Sequence, residues 1–360
     1  MYLLGGSADH LNDVYEHEAA NHEHWHDSPA EIALHDYRDF LGRREYQRAW
    51  VDFFEDQLVE HGYDWRAEVE RFLFERGSKN ASNPVPMFNC LTAGLGHPLI
   101  HLGYAYELNS REVAMEALGL AATCYDPTLA AHLEPAAANT ATSDPSTYST
   151  SNIFEVLDHC ASDPRLRGVF THPGGDNLSN LLSNPNLLSI LLEHWSAWKI
   201  VDPTKQFADS QQMVTALLLA SAPSVGGHGF DFFLVHLLTT SHAVRVLLPF
   251  LPTQYHVSLV REWWLITLAL YIAQTRPPVK LDYLREIVLE GRDWKWVDTQ
   301  ALEGKWNYDE HFVKALRAMK EAAAVWGDEE SLYLKGAVKL AAEFQGWGGF
   351  GVGETSEPGE

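Results

Sequence analysis

The sequence predicts an all-α protein: a single large, multi-helix, bundle-like domain over residues 1–345. Apolar residues recur at the 3.6-residue spacing of helices from 177 to 275, and sustained alternation with a period of two is nearly absent. No repeat of fixed length is evident, which disfavours a solenoid. The chain has 360 residues, 46% of them hydrophobic, and is therefore long and apolar enough to bury a sizeable core.

The first elements follow from short local signals. The opening MYLLGGSA indicates the end of one helix, a Gly-Gly break, and a second helix for which Ser7 is the N-cap. Residues 37–62 then show helical spacing. Their apolar stripe consists of Trp50, Phe53, Phe54 and Leu58. We therefore expect a long amphipathic helix in this region.

Two segments are predicted to be irregular. Residues 134–152 are rich in Ala, Ser, Thr and Pro and are expected to form a mobile surface loop. Residues 346–360 are expected to be a flexible C-terminal tail. Glycines of this tail match a G-x-G-x-x-G pattern, but a dinucleotide site needs a strand before it and a helix after it. The sequence therefore offers no Rossmann-type site for flavin or nicotinamide.

The charge balance narrows the class of partner. The chain has 26 Lys and Arg against 49 Asp and Glu, a net charge of -23, and no dense basic run. Such a surface repels phosphate backbones, so we expect no nucleic-acid partner. The three cysteines, Cys90, Cys124 and Cys160, are too few and too far apart for a disulfide framework. That usage is typical of a reducing, cytoplasmic setting.

The most apolar runs predict buried helices and not membrane spans. They occupy residues 232–238 and 263–273, each shorter than the roughly 20 apolar residues that cross a bilayer. No signal-peptide or transit-peptide pattern opens the chain. We therefore expect a soluble protein with no membrane partner. The oligomeric state is not readable from this pattern.

Histidines are the main candidates for chemistry, and their contexts differ. Residues 17–26, HEAANHEHWH, form a histidine-rich tract that would bind metal only loosely, so an incidental role is favoured there. His97 and His101 are four residues apart in GLGHPLIHLGYAYEL, and both could share one helical face. Pro98 complicates this, because a helix that begins there would leave His97 as a cap residue. Metal ligands and packed core histidines both remain open.

His236 lies in a strongly apolar helix predicted within GGHGFDFFLVHLLTTSHAV, residues 226–244. A charged imidazolium would be costly between Val235 and Leu237. His236 is therefore either neutral and hydrogen-bonded, which spacing alone favours, or a ligand.

The third candidate segment is YDEHFVKALRAMKEAA, residues 308–323. Asp309 can cap a helix whose apolar stripe includes Phe312. His311 and Lys314 share the opposite side, where the simplest interpretation of Lys314 is a solvated surface lysine. If that side is packed instead, a desolvated Lys314 has a lowered pKa and a nucleophilic neutral amine. Such an amine can take up carbon dioxide to form a carbamate, whose oxygens are anionic metal ligands.

Two blocks together, GLGHPLIHLGYAYEL and GFDFFLVHLLTTSHAV, resemble the questin oxidase-like family of fungal polyketide pathways. The similarity extends from MYLLGGSA through FLGRREYQRAWVDFFEDQL to DEHFVKALRA and SLYLKGA. The resemblance implies an all-helical oxygenase that opens the ring of an anthraquinone or related aromatic polyketide in a Baeyer–Villiger-type oxidation. It also implies dioxygen as co-substrate and NADPH as a reductant.

The same resemblance also implies a set of metal ligands. It implies a non-heme iron held by His97 or His101, by His236, and by Lys314 as its carbamate. Lys314, His236 and His101 are accordingly the expected catalytic residues.

The sequence departs from the family pattern at its start. In relatives, a helix with further histidines precedes the segment matched by MYLLGGSA, and the present sequence begins at that segment. We therefore expect one or more ligands to be missing from the chain as given. The alternative function is a catalytically inactive helical relative that binds an aromatic polyketide or a partner protein.

Overall fold

Helices dominate the computed structural model, which describes residues 1–137, 147–221, 229–279 and 281–351. The predicted all-α class is confirmed. The helices of the first half are α1 (Ala8–Asn21), α2 (Gln47–Glu60), α3 (Trp65–Phe74), α4 (His97–Leu108), α5 (Arg111–Thr123), α6 (Pro127–Ala137), α7 (Ile153–Ser162) and α8 (Gly175–Ser183). Those of the second half are α9 (Pro185–Ala197), α10 (Pro203–Ala220), α11 (Phe232–Leu247), α12 (His256–Ala273), α13 (Leu281–Glu286), α14 (Trp294–Glu303), α15 (Glu310–Trp326) and α16 (Leu332–Glu343).

Helix starts follow the capping signals in the sequence. Ser7 caps α1 by accepting the N–H of His10, as its position predicts. Asp309 caps α15 by accepting the N–H of Phe312. Asp231 does the same for α11. These side-chain oxygens satisfy N–H groups that have no partner inside the helix, and so they fix where each helix begins.

The core runs through the whole described chain as one connected cluster of buried apolar side chains. Helices α11 and α12 contain the two most apolar runs and are buried along nearly their full length, as predicted. The stripe predicted on α2 is buried too. Among the described residues, no helix combines the length and apolar character needed to cross a bilayer. All three cysteines are unpaired.

Close packing of α4 against α11 depends on a glycine. A Cβ atom built on Gly103 would lie 2.7 Å from the Cβ of Ala243 and 2.8 Å from its Cα. Real Cβ atoms essentially never come that close to backbone, so Gly103 sets the distance between the two helices. This contact is central because α4 and α11 carry His97 and His236.

A buried ion cluster links the same two helices to α15. Glu107 of α4 accepts hydrogen bonds from Arg317 at 2.6 Å and from His242 at 3.3 Å. Burial opposes ionisation of this carboxyl, but the two donors outweigh burial and lower the pKa of Glu107 to about 2. The cluster therefore stabilises the junction of α4, α11 and α15.

The end of the described chain differs from the predicted flexible tail. Two short parallel strands, β1 (Phe230–Asp231) and β2 (Trp347–Gly348), pair with each other. Gly229, at φ +40°, permits the approach, since a Cβ there would meet the carbonyl oxygen of Gly346. Residues 346–351 are therefore packed on the domain because backbone pairing and aromatic contacts compensate for the flexible glycines. Residues 352–360 lie outside the described residues.

The loop expected over 134–152 is only partly described. Helix α6 continues to Ala137, and residues 138–146 lie outside the described ranges. At the far end, the N–H of Thr150 donates to the carbonyl of Ala197, and its carbonyl accepts from the N–H of Lys199. The last residues of the segment are therefore attached to the end of α9, and the mobility of the rest stays a prediction.

Replacing Gly103 by alanine should destabilise the fold by about 1–3 kcal/mol, because the new methyl overpacks the contact with Ala243. Urea denaturation measures the loss. Gly119→Ala is the matched control, since a Cβ on this glycine of α5 meets nothing within 4 Å. The control should leave stability unchanged or raise it by about 0.5–1 kcal/mol. Equal losses in both variants would contradict the role given to Gly103.

Replacing Glu107 by glutamine should remove roughly 2–3 kcal/mol of stability at neutral pH, since an ionised partner of Arg317 is lost. Glu107 has a pKa lowered from 4.5 to about 2 in the folded chain. Its contribution is therefore complete above pH 4.5 and is lost as the pH falls toward about 2. Urea unfolding at several pH values, with the exposed Glu55→Gln as control, should show the gap between wild type and Glu107→Gln closing over that window. A gap that is constant with pH would refute the assignment.

Candidate metal centre

Three histidines from three different helices meet in the interior. The ring centroids of His97 and His236 are 5.1 Å apart, those of His236 and His311 are 4.9 Å apart, and those of His97 and His311 are 6.4 Å apart. One nitrogen of each ring lies within 4.8 Å of the other two. Helices α4, α11 and α15 place the three residues, each within the first two turns of its helix. Three imidazole nitrogens at this separation can bind one metal ion.

Each of the three rings uses its Nδ1 atom in a short hydrogen bond to a protein oxygen. The contacts are His97 to the carbonyl of Gly94 at 2.7 Å, His236 to the carbonyl of Phe232 at 2.8 Å, and His311 to Oε1 of Glu310 at 2.7 Å. A carbonyl or carboxylate oxygen can only accept, so Nδ1 carries the hydrogen in each ring. In the neutral form of each ring, the lone pair therefore sits on Nε2, the tautomer typical of histidine ligands with an outer oxygen partner.

The Nε2 atoms of His236 and His311 are buried and have no hydrogen-bond partner among the described residues. Buried polar atoms are ordinarily paired, because an unpaired one costs roughly 1–3 kcal/mol. A core histidine with both nitrogens satisfied would explain burial without a ligand, and these two residues do not fit that description. Two unpartnered buried nitrogens on rings whose centroids are 4.9 Å apart fit a bound cation.

Electrostatics keep at least two of the rings neutral. Burial is the main cause that holds the pKa of His236 well below its usual range, and the neighbouring His311 and His97 add to it. Burial likewise lowers the pKa of His97. Metal ligation needs the neutral imidazole, so this environment prepares both rings for a cation without prior loss of a proton.

Lys314 belongs to the same region. It follows His311 by one helical turn, its side chain is only 19% exposed, and its Nζ lies 4.0 Å from Oε1 of Glu310. Burial lowers the pKa of Lys314, although the carboxylates of Glu310 and Asp309 act against it. Its positive charge is among the causes that lower the pKa of His97 and of His236. The solvated-surface interpretation of Lys314 is therefore wrong, and the packed-face interpretation is confirmed.

His101 points elsewhere. Its Nδ1 lies 3.3 Å from Oε2 of Glu116 on α5, and its ring centroid is 6.5 Å from that of His97. His97 is the first residue of α4 and reaches back to Gly94, whereas His101 lies a turn later and faces α5. The structure thus brings His97 and His236 together with Lys314 close by, and it does not add His101 to the cluster. A catalytic or ligand role of His101 stays a prediction.

His311 was not among the cluster members expected from the sequence. The available signal was its spacing of three residues from Lys314, which places both on one face of the helix. Spacing could not show that this face meets α4 and α11. The histidine-rich tract 17–26 contributes no member to the cluster, and His17 packs against Tyr308 instead.

A small apolar cavity adjoins the cluster through Lys314. Its volume is about 190 Å³, and its lining includes Tyr104, Leu108, Val313, Lys314 and Arg317. A larger surface cleft of about 750 Å³, formed by residues between 169 and 187, includes no residue of the cluster. The smaller cavity is therefore the better candidate for a ligand that reacts near the histidines, and its apolar walls suit an aromatic molecule.

Comparison with known proteins shows the family of the chain. A family model described as Questin oxidase-like matches residues 1–319, and the chain belongs to that family. It is 25% identical to a Baeyer-Villiger oxidase of Pestalotiopsis microspora over 300 residues, covering 80% of this chain and 65% of the relative. It is 25% identical to a questin oxidase of Aspergillus terreus over 306 residues, covering 80% of this chain and 64% of the relative.

A shorter match is closer in sequence. A Baeyer-Villiger oxidase of Paecilomyces divaricatus is 33% identical over 135 residues, which cover 36% of this chain and 28% of the relative. The chain thus spans less than two thirds of the length of these curated relatives. The relatives are named as oxidases, so the family is one of oxidoreductases.

Replacing His236 by alanine should weaken binding of a divalent transition metal on the order of 100-fold or more, because one of three ligands is lost. Titration with Co(II) against a chelator of known affinity measures the change. His101→Ala is the matched control, a histidine of α4 that faces Glu116, and its affinity should stay near that of wild type. If His101→Ala weakened Co(II) binding and His236→Ala did not, the metal site would have to include His101 and not His236.

Proposed function

We propose that the chain is a non-heme iron-dependent oxygenase that opens the ring of an anthraquinone or related aromatic polyketide in fungal secondary metabolism. The observation that carries the proposal is the set of three histidines, one nitrogen of each lying within 4.8 Å of the other two. The Nε2 atoms of His236 and His311 are also buried without a partner among the described residues. Membership of a family whose curated relatives are oxidases supports oxygen chemistry at this site.

His97, His236 and His311 would hold the iron, with Lys314 as a fourth donor. Lys314 can become an anionic ligand only through modification, since an ammonium cannot bind a cation. Its burial favours the neutral amine, whose lone pair forms a bond to the carbon of carbon dioxide and which then releases one proton. The resulting carbamate would present oxygens to the iron, and its negative charge would favour the oxidised metal. Mixed nitrogen and oxygen donors are the set that non-heme iron takes in proteins.

Iron, when bound, supplies the one-electron chemistry that lets dioxygen react with a closed-shell aromatic substrate. In a Baeyer–Villiger-type oxidation, one oxygen atom enters the bond beside a quinone carbonyl, and hydrolysis of the ester opens the ring. The second oxygen atom leaves as water, which requires two electrons and two protons. NADPH would supply the two electrons and one of the protons as hydride, through contacts that are not recognisable as a nucleotide fold, and the second proton would come from water.

The residues around the cluster would then orient the histidine rings and the substrate and keep water away from them. Glu310 holds the Nδ1–H of His311 and so fixes the ring with Nε2 toward the metal. The apolar cavity would exclude water from the flat substrate. Arg317 lines that cavity, and its buried Nε–H has no hydrogen-bond partner among the described residues. This N–H could donate to a carbonyl or phenolic oxygen of the substrate and set its position.

The remaining partner assignments follow from charge. A net charge of -23 supports a small-molecule partner over nucleic acid, and a reducing cytoplasmic location would suit the three unpaired cysteines.

Lys314→Ala should abolish stoichiometric iron binding and oxygen consumption if the carbamate is a ligand. The purified chain would be loaded anaerobically with Fe(II) in bicarbonate buffer, with iron content and oxygen uptake then measured on a hydroxyanthraquinone. Lys320→Ala is the control, because Lys320 lies on the same helix and pairs with Asp298 outside the cluster. The control should keep both properties. With ¹³C-labelled bicarbonate, a carbamate NMR signal should be present in wild type and absent from Lys314→Ala.

Two results would contradict parts of the proposal. Full iron content in Lys314→Ala would remove Lys314 from the ligand set. A wild-type chain that binds no iron and consumes no oxygen, yet still binds the hydroxyanthraquinone, would favour the inactive helical relative.

A further inference from the structure

The segment from Gly346 to Phe350, here called the C-terminal strap, crosses the starts of two helices that carry the histidine cluster. It lies beyond residues 1–319, the part matched by the family model. Trp347 in the strap is 9% exposed and sits 6.2 Å from the ring of His311. Three separate contacts connect the strap to the cluster.

The first contact is a hydrogen bond to the cap of α15. The indole Nε1–H of Trp347 donates to Oδ2 of Asp309 at 2.8 Å. The other oxygen of Asp309 accepts the N–H of Phe312, also at 2.8 Å. Both carboxylate oxygens are therefore engaged in holding the start of the helix, two residues before His311. Asp309, Glu310 and His311 also lie close enough together to hold a metal ion. The hydrogen bond from Trp347 instead keeps the carboxylate of Asp309 occupied as a helix cap.

The second contact is with the cap of α11. Strand β2 of the strap pairs with β1, so that Gly348 lies opposite Asp231. Asp231 caps α11 by accepting the N–H groups of Phe233 and Leu234. The next strap residue, Gly349, has φ +89°, and a Cβ atom there would come within 2.6 Å of Oδ2 of Asp231. Only glycine allows the strap to pass this close to the carboxylate.

The third contact is aromatic. The ring of Phe232 lies 4.8 Å from the rings of His236 and His311, both measured between centroids. On its other sides the same ring meets Phe350 at 5.2 Å and Trp347 at 6.2 Å. Phe232 is therefore a spacer between the strap and two members of the cluster.

We propose that Trp347 is a positioning residue that, through Asp309 and Phe232, sets the separation of His236 and His311 and thereby the metal affinity of the site. This inference rests on the proposed function, because it concerns the same cluster. Helices α11 and α15 start at caps that the strap touches simultaneously. Ligand atoms must be held within about 0.5 Å of their productive positions, and groups outside the ligands typically change affinity by about 10–100-fold.

The test compares Trp347→Phe with Trp306→Phe in the full chain. The first change keeps an aromatic ring and removes the N–H that binds Asp309. The second removes an N–H that donates to the carbonyl of Phe344 and has no contact with the histidines. Co(II) affinity is measured by chelator competition, and the visible absorption of bound Co(II) reports ligand geometry. Urea denaturation of both metal-free variants shows whether a change in affinity merely follows a loss of stability.

Trp347→Phe should bind Co(II) about 10–100-fold more weakly than wild type and show an altered Co(II) spectrum. Trp306→Phe should keep the wild-type affinity and spectrum, even where its stability falls equally. Gly349→Ala is the second variant, acting at the Asp231 end of the strap, and it should weaken binding in the same direction. If Trp347→Phe does not fold, the Co(II) affinity of Gly349→Ala tests the inference in its place.

Wild-type affinity and spectrum in Trp347→Phe would overturn the strap inference while leaving the metal site intact. Absence of Co(II) binding by the wild-type chain would instead defeat the proposed function. In that case, crystal structures of metal-free wild type and Trp347→Phe decide the inference. A changed distance between the Nε2 atoms of His236 and His311 supports it, and an unchanged distance refutes it.

Discussion

The central constraint on this molecule is the cost of burying two imidazole nitrogens without hydrogen-bond partners. Nε2 of His236 and Nε2 of His311 are both buried, and neither has a hydrogen-bond partner among the described residues. Each unpaired atom opposes folding, so the surrounding helices must hold it against water and against repacking. The tight contact at Gly103, the ion cluster around Glu107 and the caps at Asp231 and Asp309 all act on the three helices that carry the cluster.

The position of the histidines within their helices contributes to their chemistry. His97 is the first residue of α4, His311 the second of α15, and His236 lies within the second turn of α11. The N-terminal end of a helix has a partial positive charge, which disfavours protonation of an imidazole close to it. Burial acts in the same direction on His97 and His236. The fold therefore favours the neutral form of His97 and His236, which is the form that binding of a cation would need, at the expense of local stability.

Most of the helical framework could be predicted from the sequence, because its signals are local. Ser7 and Asp309 cap helices as their positions indicated, and the apolar runs at 232–238 and 263–273 became buried helices. The C-terminal glycines were misleading, since Trp347 bonds to Asp309 and Phe350 packs on Phe232, more than a hundred residues earlier in the chain. The site was only partly predicted, because its residues also meet through contacts between distant parts of the chain. Spacing drew attention to His97 with His101, yet the histidines that His97 meets across space are His236 and His311.

What the sequence by itself determined is the helical class, the starts of α1 and α15, the neutrality required of His236 and the pairing of His311 with Lys314 on one helical face. These follow from period, capping and the cost of burying charge, which act over a few residues. Tertiary structure alone decided that α4, α11 and α15 converge, and that His101 faces Glu116 instead of the cluster. It also decided that the side chain of Lys314 is largely covered by its neighbours. Those outcomes depend on which helix faces pack together, a choice made by contacts such as Gly103 with Ala243 between residues far apart in the chain.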